Sequence, residues 1–276
     1  MNCRTFVNGK IFTGENETAF TDSITVEDGK IVAIGEKGRG EIIDPQGQTV
    51  LPGLIDNHTH PKYIADALHG AACTPPLVNS ISEMQEALRH TPEYGQGPDV
   101  WIEGWGFDES KLAEHRSPTR DDLDQVSTTQ PIFFFAEEDS YRQFLSADQL
   151  KMAYRIKSLD KENILFSLSS DAPCTPWAEP DSPFYGIYVA VTRHTAAGGF
   201  INEDEGIPVV RAILAYTRDA AKMGGFVNNG TLTPGKDADF VILDRDIFSQ
   251  KSEDLAKVKP ASTWIGGEMV WSQKKK

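Results

Sequence analysis

Residues 50–60 read VLPGLIDNHTH, an apolar segment that enters through Pro-Gly and ends in a His-x-His pair. The segment predicts a short buried strand, and residues two apart on a strand point to the same face. His58 and His60 should therefore present two imidazoles in one direction. Neutral imidazole is a common ligand of zinc and similar metals. This context favours metal ligation over the alternative, two histidines in an exposed turn.

A second stretch with chemical potential is residues 164–171, ILFSLSSD, an apolar run that ends in Asp171. Ala172-Pro173 follows at once, and proline ends regular structure there. An aspartate at a strand end can bind a metal or act as a base. The alternative is an aspartate that caps the following turn.

The two ends of the chain are rich in strand and turn signals. Residues 3–49 contain Asn8-Gly9 and Asp28-Gly29, dipeptides that favour tight hairpin turns, and residues 232–270 return to strands. These terminal strands should pair with each other. The predicted domains are therefore a composite domain of residues 1–49 and 231–276, and a strand–helix domain of residues 50–230.

Within residues 50–230, helix signals alternate with short apolar runs. Ser80 or Ser82 can cap a helix that runs to about His90, and Ser80 with Glu83 has the form of a capping box. Further helices are predicted from Pro183, from Pro208 to Met223, and as one continuous helix from Ser146 to Leu159. The predicted barrel-like strands lie near residues 50–57, 100–104, 131–136 and 164–170. Glu137, Glu138 and Asp139 follow one of these strands. A carboxylate at a strand end could bind metal or substrate, but a solvated acidic turn is the favoured interpretation.

Composition narrows the class of protein. The net charge of −14 and the pI near 4.9 argue against nucleic acid and anionic membrane surfaces as partners, since these attract basic patches. No apolar run approaches the length of a membrane span. Three widely spaced cysteines favour reduced thiols, so we expect a cytoplasmic protein.

Several stretches together resemble the metal-dependent amidohydrolase superfamily. TVLPGLIDNHTHP at 49–61 resembles its first barrel strand, and GTLTPGKDADFVILDRD at 230–246 resembles strands of its β-sandwich. WIEGWGFDESKL at 101–112 and FSLSSDAP at 166–173 resemble the YtcJ-like branch, amidohydrolase 3. The resemblance implies an α/β fold, a (β/α) TIM-type barrel with a small discontinuous β-sandwich, and hydrolysis of carbon–nitrogen bonds other than peptide bonds.

The same resemblance implies roles for individual residues. Asp171 would bind the metal and exchange a proton with the water that the metal activates. Trp105 would lie near the mouth of the active site, where it could stack on a substrate or pack as a rim aromatic. His69 follows the metal motif closely and is a weaker candidate for substrate contact.

The middle of the barrel is missing from this pattern. Residues 50–230 are fewer than the roughly 250 residues of a complete eight-stranded barrel, and only four barrel-like strands can be identified. Around Ala153-Tyr154, a helix typical of an early barrel unit runs directly into one typical of the last unit. The expected fold is therefore an incomplete barrel.

The ligand set is correspondingly short, with His58, His60 and Asp171 but no middle-strand lysine or glutamate and no later histidines. Three ligands with an open position can form a catalytic zinc site, so one divalent ion at most is expected, with zinc as the expected metal. The leading hypothesis is a metal-dependent hydrolase of a small-molecule amide whose identity the sequence does not specify. The alternative is a catalytically incompetent relative, and a deaminase of the same superfamily is a weaker third. Exposed edges of an unfinished sheet would favour homo-oligomers.

Overall fold

The computed structural model describes residues 3–36, 38–57, 59–61, 63, 70–96, 102–118, 135, 138–152, 154–163, 165–173, 179, 182–200 and 202–273. The strands are β1 (Cys3–Phe12), β2 (Phe20–Glu27), β3 (Lys30–Ile34), β4 (Glu41–Ile43), β5 (Thr49–Pro52), β6 (Ala71–Ala72), β7 (Gly104–Trp105), β8 (Phe240–Leu243), β9 (Pro260–Ile265) and β10 (Glu268–Ser272). The helices are α1 (Ile81–Arg89), α2 (Glu138–Phe144), α3 (Ala147–Met152), α4 (Ile156–Lys161), α5 (Pro183–Thr192), α6 (Val209–Tyr216) and α7 (Arg218–Gly224). Two 3₁₀ segments, Glu203–Glu205 and Ser252–Lys257, complete the described elements.

One large sheet joins the two ends of the chain. Its order is β10-β9-β8-β5-β1-β2-β3, with β4 parallel to β1. The join is the antiparallel pairing of β5 with β8, in which Val50 faces Ile242 and Leu51 faces Val241. The strands of the two chain ends thus share one sheet as expected, but they are joined through residues 50–52, which were predicted to belong to the strand–helix domain. The division into two domains stays a prediction.

An aromatic cluster fills the side of this sheet that both ends of the chain share. The Phe6 ring meets Phe240 and Trp264 edge-on at 4.9 Å, and Phe240 stacks on Trp264 at 5.6 Å. All three side chains are buried. Aromatic pairs of this geometry contribute about 0.5–1.5 kcal/mol beyond their area burial. The N-terminal and C-terminal strands are therefore held by side chains as well as by the backbone ladder.

The predicted barrel strands are only partly present. β5 ends at Pro52 and belongs to the large sheet, so residues 53–57 are not a strand, contrary to expectation. The described residues 165–170 carry no strand either, and the run at 131–134 lies outside the described residues. Among the described residues no closed barrel forms, and β6 and β7 make a separate two-stranded parallel sheet. The fold is therefore a mixed α/β arrangement.

Helix α1 follows the predicted pattern. The Ser80 hydroxyl accepts a hydrogen bond from the Glu83 backbone N–H at 3.2 Å, which satisfies an amide that the helix itself cannot pair. Ile81, Met84 and Leu88 form its buried face. This face packs against the residues around β6 and β7.

Two predicted helices are each divided in two. The continuous helix expected from Ser146 to Leu159 breaks between α3 and α4, where Tyr154 has φ of +50°. The cause is tertiary, because the Ser158 backbone N–H and hydroxyl both donate to Glu205. The helix expected from Pro208 to Met223 bends at Thr217, between α6 and α7, where ψ is −94°. None of the described helices has the length and apolar character that crossing a membrane requires.

Candidate active site

The His-x-His segment lies against the loop that carries Asp171. Both carboxylate oxygens of Asp56 accept from the Ser170 backbone N–H, at 3.2 and 3.1 Å. On the other side of the motif, the His60 backbone N–H and the Thr59 hydroxyl donate to the Ala172 carbonyl, at 2.8 and 3.1 Å. These bonds fix the two segments in one register.

Asn57 fastens a third element to this pair of segments. Its Nδ2 donates to the Ser167 hydroxyl at 3.2 Å and to the Ala220 carbonyl of α7 at 2.9 Å. An amide group has two N–H donors, and both are used here. Asn57 therefore ties the motif to the Asp171 loop and to α7 together.

The result is a direct contact between two of the predicted metal ligands. His60 Nε2 lies 2.9 Å from Asp171 Oδ1, and the two side chains are 38% and 26% exposed. Asp171 adopts φ of +53°, a left-handed conformation that aspartate tolerates better than most residues. The Tyr63 ring lies 5.6 Å from the His60 ring. Both side chains are therefore partly open to solvent, although Asp171 Oδ1 itself is buried.

The donor chemistry of the pair fits a divalent metal. An imidazole nitrogen and a carboxylate oxygen are both normal zinc ligands, and two ligands on a tetrahedral ion lie about 3.3 Å apart, so the pair would open by a few tenths of an ångström. His58, the third predicted ligand, lies outside the described residues. Within the described part of the chain no cluster of three or more metal-ligating side chains occurs. Two of the three predicted ligands are thus brought together, and the third stays a prediction.

The substrate-contact candidates are less defined. Trp105 ends β7, where its carbonyl accepts from the Cys73 backbone N–H at 2.9 Å, and its side chain is half-buried. Its role towards a substrate stays a prediction. His69 lies outside the described residues.

Glu138 has a role that the sequence did not indicate. Instead of belonging to a solvated turn, its side chain is buried at the start of α2, where it bonds to the Thr195 hydroxyl and to Arg142 Nε. Burial alone would raise the pKa of this carboxyl, but the hydrogen bonds from Thr195 and Arg142 outweigh it and hold the pKa below its usual value. Glu138 therefore links α2 to the segment after α5. The burial of Glu138 depends on Thr195, which is distant in the sequence, so the local sequence did not indicate it.

Comparison with known proteins identifies the lineage. The amidohydrolase family model Amidohydro_3 matches residues 41–136 and 128–271. The chain belongs to this amidohydrolase family. The two matched segments overlap at residues 128–136. This boundary precedes the Ala153-Tyr154 junction expected from the sequence.

Two curated relatives illustrate how much of the chain is shared. The N-substituted formamide deformylase of Arthrobacter pascens is 29% identical over 155 residues, 53% of this chain and 28% of that protein. The putative amidohydrolase YtcJ of Bacillus subtilis is 35% identical over 136 residues, 47% of this chain and 24% of that protein. The chain thus matches only about a quarter of each amidohydrolase relative's own length.

Solved structures support the fold. A metal-dependent hydrolase from Pyrococcus horikoshii aligns with a TM-score of 0.62 at 14% identity, covering 91% of this chain and 99% of that one. An enamidase of the amidohydrolase superfamily aligns with a TM-score of 0.53 at 18% identity, covering 98% and 96%. At such low identity these alignments speak to the fold alone.

Proposed function

We propose that this amidohydrolase family member hydrolyses carbon–nitrogen bonds of small amides, using a divalent metal held by His58, His60 and Asp171. The observation that carries the proposal is the 2.9 Å contact between His60 Nε2 and Asp171 Oδ1, two side chains that are each partly exposed. The chain brings these groups together through hydrogen bonds on both sides of the pair, so their meeting follows from how the two segments pack. The names of relatives, a formamide deformylase and an enamidase, support the bond class.

Each residue has a distinct task in this proposal. His60 Nε2 and Asp171 Oδ1 hold the ion, with His58 as the third ligand and zinc as the expected metal. A divalent ion held there would lower the pKa of water and so supply a nucleophile at neutral pH. Asp171 would serve as the base and acid of the reaction, with Oδ2 taking a proton and returning it to the leaving nitrogen. Asp56 and Asn57 hold the two segments in register while this happens.

A catalytically incompetent chain is the second candidate. It is favoured by the shortness of residues 50–230 compared with a complete eight-stranded barrel, and by the lack of both a closed barrel and a three-donor cluster among the described residues. Removal of one charge-stabilising group from an active site costs roughly 10²–10³ in rate. Under this second candidate, turnover on amides is slow or near background.

Setting and assembly are part of the same proposal. Acidic composition and scattered cysteines support a cytoplasmic protein. Homo-oligomers are supported by β10, an edge strand on which Met269, Val270 and Trp271 are exposed.

The metal assignment is tested by titrating the metal-free protein with zinc in a calorimeter. His60→Ala and Asp171→Ala should each weaken zinc binding by at least about tenfold, since even groups that only orient ligands are worth roughly 10–100-fold. His90→Ala is the matched control, because His90 lies exposed at the end of α1. Unchanged affinity in both ligand variants would refute the assignment.

The catalytic assignment needs a separate assay at known metal content. Zinc-loaded protein is offered N-acyl amino acids and cyclic amides, and Asp171→Asn is compared with the wild type. Turnover that disappears in Asp171→Asn supports the hydrolase. Background turnover in protein that binds zinc through His60 and Asp171 supports the incompetent alternative.

A further inference from the structure

A cavity of about 740 Å³ opens between the large sheet and the start of α5. Its walls come from residues 53–55, from β8 and β9, and from the loop after α7. Neither His60 nor Asp171 is among the described residues that line it. Pockets for small molecules typically measure about 300–1,000 Å³, so this cavity has the size of a ligand site distinct from the candidate active site.

The body of the cavity is apolar and aromatic. Phe184 and Trp264 form buried walls. At the open side, Phe226 and Ile265 also line the cavity, although these side chains are 51% and 57% exposed. A ring placed between these residues would remove apolar surface from water on both of its faces, which is the main favourable term in binding apolar groups.

One ammonium group at the rim, that of Lys259, is placed to receive an anion. Lys259 Nζ lies 3.1 Å from Glu179, and both side chains are about half exposed. An ammonium has three N–H donors, whereas the two oxygens of Glu179 engage at most two of them. The Ser182 hydroxyl lines the same wall and makes no capping bond to α5.

The other carboxylate of the cavity is already engaged. Asp239 accepts from Asn229 Nδ2 at 2.7 Å through one oxygen and from the Gly266 backbone N–H at 2.8 Å through the other. A cationic ligand would therefore have to compete with Lys259 for Glu179. An anionic ligand needs only to displace Glu179, and exposed ion pairs of this kind are weak.

We propose that this cavity binds a small monocarboxylate with an apolar ring. The carboxylate replaces Glu179 beside Lys259 and takes the Ser182 hydroxyl as a second donor. The ring lies among Phe184, Phe226 and Trp264. Binding involves no covalent step and does not depend on metal at His60 and Asp171.

The test uses 4-phenylbutyrate and its uncharged analogue 4-phenylbutyramide as probes, titrated into the full chain in a calorimeter. The acid should bind about fivefold more tightly than the amide, as expected for one partly exposed charge pair. Lys259→Met should abolish this preference. Lys257→Met is the matched control, because Lys257 is exposed, pairs with Asp254 and lies outside the cavity, and it should keep the preference.

Two further variants give results of opposite sign. Glu179→Gln should strengthen binding of the acid, because the competing carboxylate is gone. Phe226→Ala should weaken both probes, whereas Phe144→Ala, at an exposed phenylalanine away from the cavity, should weaken neither. Equal binding of acid and amide, or weaker acid binding by Glu179→Gln, would overturn the proposal. All replaced side chains are substantially exposed, and circular dichroism confirms that each variant is folded.

Discussion

His60 Nε2 lies 2.9 Å from Asp171 Oδ1, although the two residues come from different halves of the chain. Their meeting follows from the backbone on either side. The Asp56 carboxylate accepts a hydrogen bond from the Ser170 backbone N–H, and the Ala172 carbonyl accepts one from the His60 backbone N–H. The pair is thus aligned by groups outside the proposed ligand set, and this alignment can be tested without altering His60 or Asp171.

Asn57→Ala removes the side chain that joins the motif to Ser167 and to α7. We expect a loss of about 1–3 kcal/mol in the free energy of unfolding, because the Ala220 carbonyl and the Ser167 hydroxyl lose a donor. Zinc affinity should fall by about tenfold, since the pair is held less firmly. Urea unfolding and zinc titration measure the two effects.

Asn79→Ala is the control for this variant. Asn79 is exposed, and its Nδ2 donates to the Pro76 carbonyl, away from the site. It should leave zinc affinity unchanged. Equal zinc affinity in Asn57→Ala and the wild type would show that Asn57 does not position the pair.

Arg211→Met tests a buried charge network under the Asp171 loop. Arg211 is buried, with Nε 2.5 Å from Asp160 and Nη1 2.8 Å from Asp219, and its guanidinium lies over the Phe166 ring. Removing it leaves Asp219 buried with one fewer partner. We expect a loss of about 3 kcal/mol, the low end for a broken buried pair, because Arg218 still binds Asp219.

Arg245→Met provides the comparison on the surface. Its pairing with Asp244 is partly exposed, so the expected loss is below about 1 kcal/mol. Both variants are measured by urea unfolding at neutral pH. Losses of equal size would contradict the assignment of Arg211 as a buried structural charge.

Local sequence signals predicted a helix cap and a hairpin turn that the structure contains. Ser80 with Glu83 predicted the start of α1, and Asp28-Gly29 predicted the hairpin between β2 and β3, where both residues adopt positive φ. These features depend on neighbours within a few residues. The family resemblance identified His60 and Asp171, although the strand expected to present His60 ends at Pro52.

Two of the wrong predictions share a different cause. The break between α3 and α4 is made where Ser158 binds Glu205, and Glu138 is buried because Thr195 binds it. In both cases the deciding partner lies more than forty residues away. Helix periodicity and charge runs carry no information on such partners, so tertiary contacts override the local preference.

Glu138→Gln should make the free energy of unfolding fall less steeply as the pH is lowered. The pKa of Glu138 is held below its ordinary value of 4.5, because the hydrogen bonds from Thr195 and Arg142 outweigh burial, which alone would raise it. A carboxyl whose pKa is lower in the folded state contributes stability above its unfolded pKa, and that stability is lost as the pH falls through the folded pKa. The wild type should therefore lose this contribution below about pH 4.5, whereas the variant has none to lose.

Urea unfolding between pH 3 and pH 7 measures this difference. Glu162→Gln is a suitable control, because Glu162 is exposed at the end of α4. At low pH, the free energy of unfolding of this control should change with pH as it does in the wild type. A Glu138→Gln curve parallel to the wild type through this range would contradict the pKa assignment.

Phe240→Ala tests whether the two ends of the chain form a unit separate from residues 50–230. Phe240 is fully buried between Phe6 and Trp264, so its truncation should cost about 3–5 kcal/mol. Because β8 pairs with β5, which in turn pairs with β1, hydrogen exchange should speed up in β1 and β9 together.

Met84→Ala is the matched comparison, since Met84 is equally buried but belongs to the cluster around α1 and β6. It should speed exchange in α1 and leave β1 protected, because no member of that cluster belongs to the large sheet's aromatic core. Faster exchange throughout the chain in both variants would mean that the protein unfolds as one cooperative unit, and the proposed division into domains would fail.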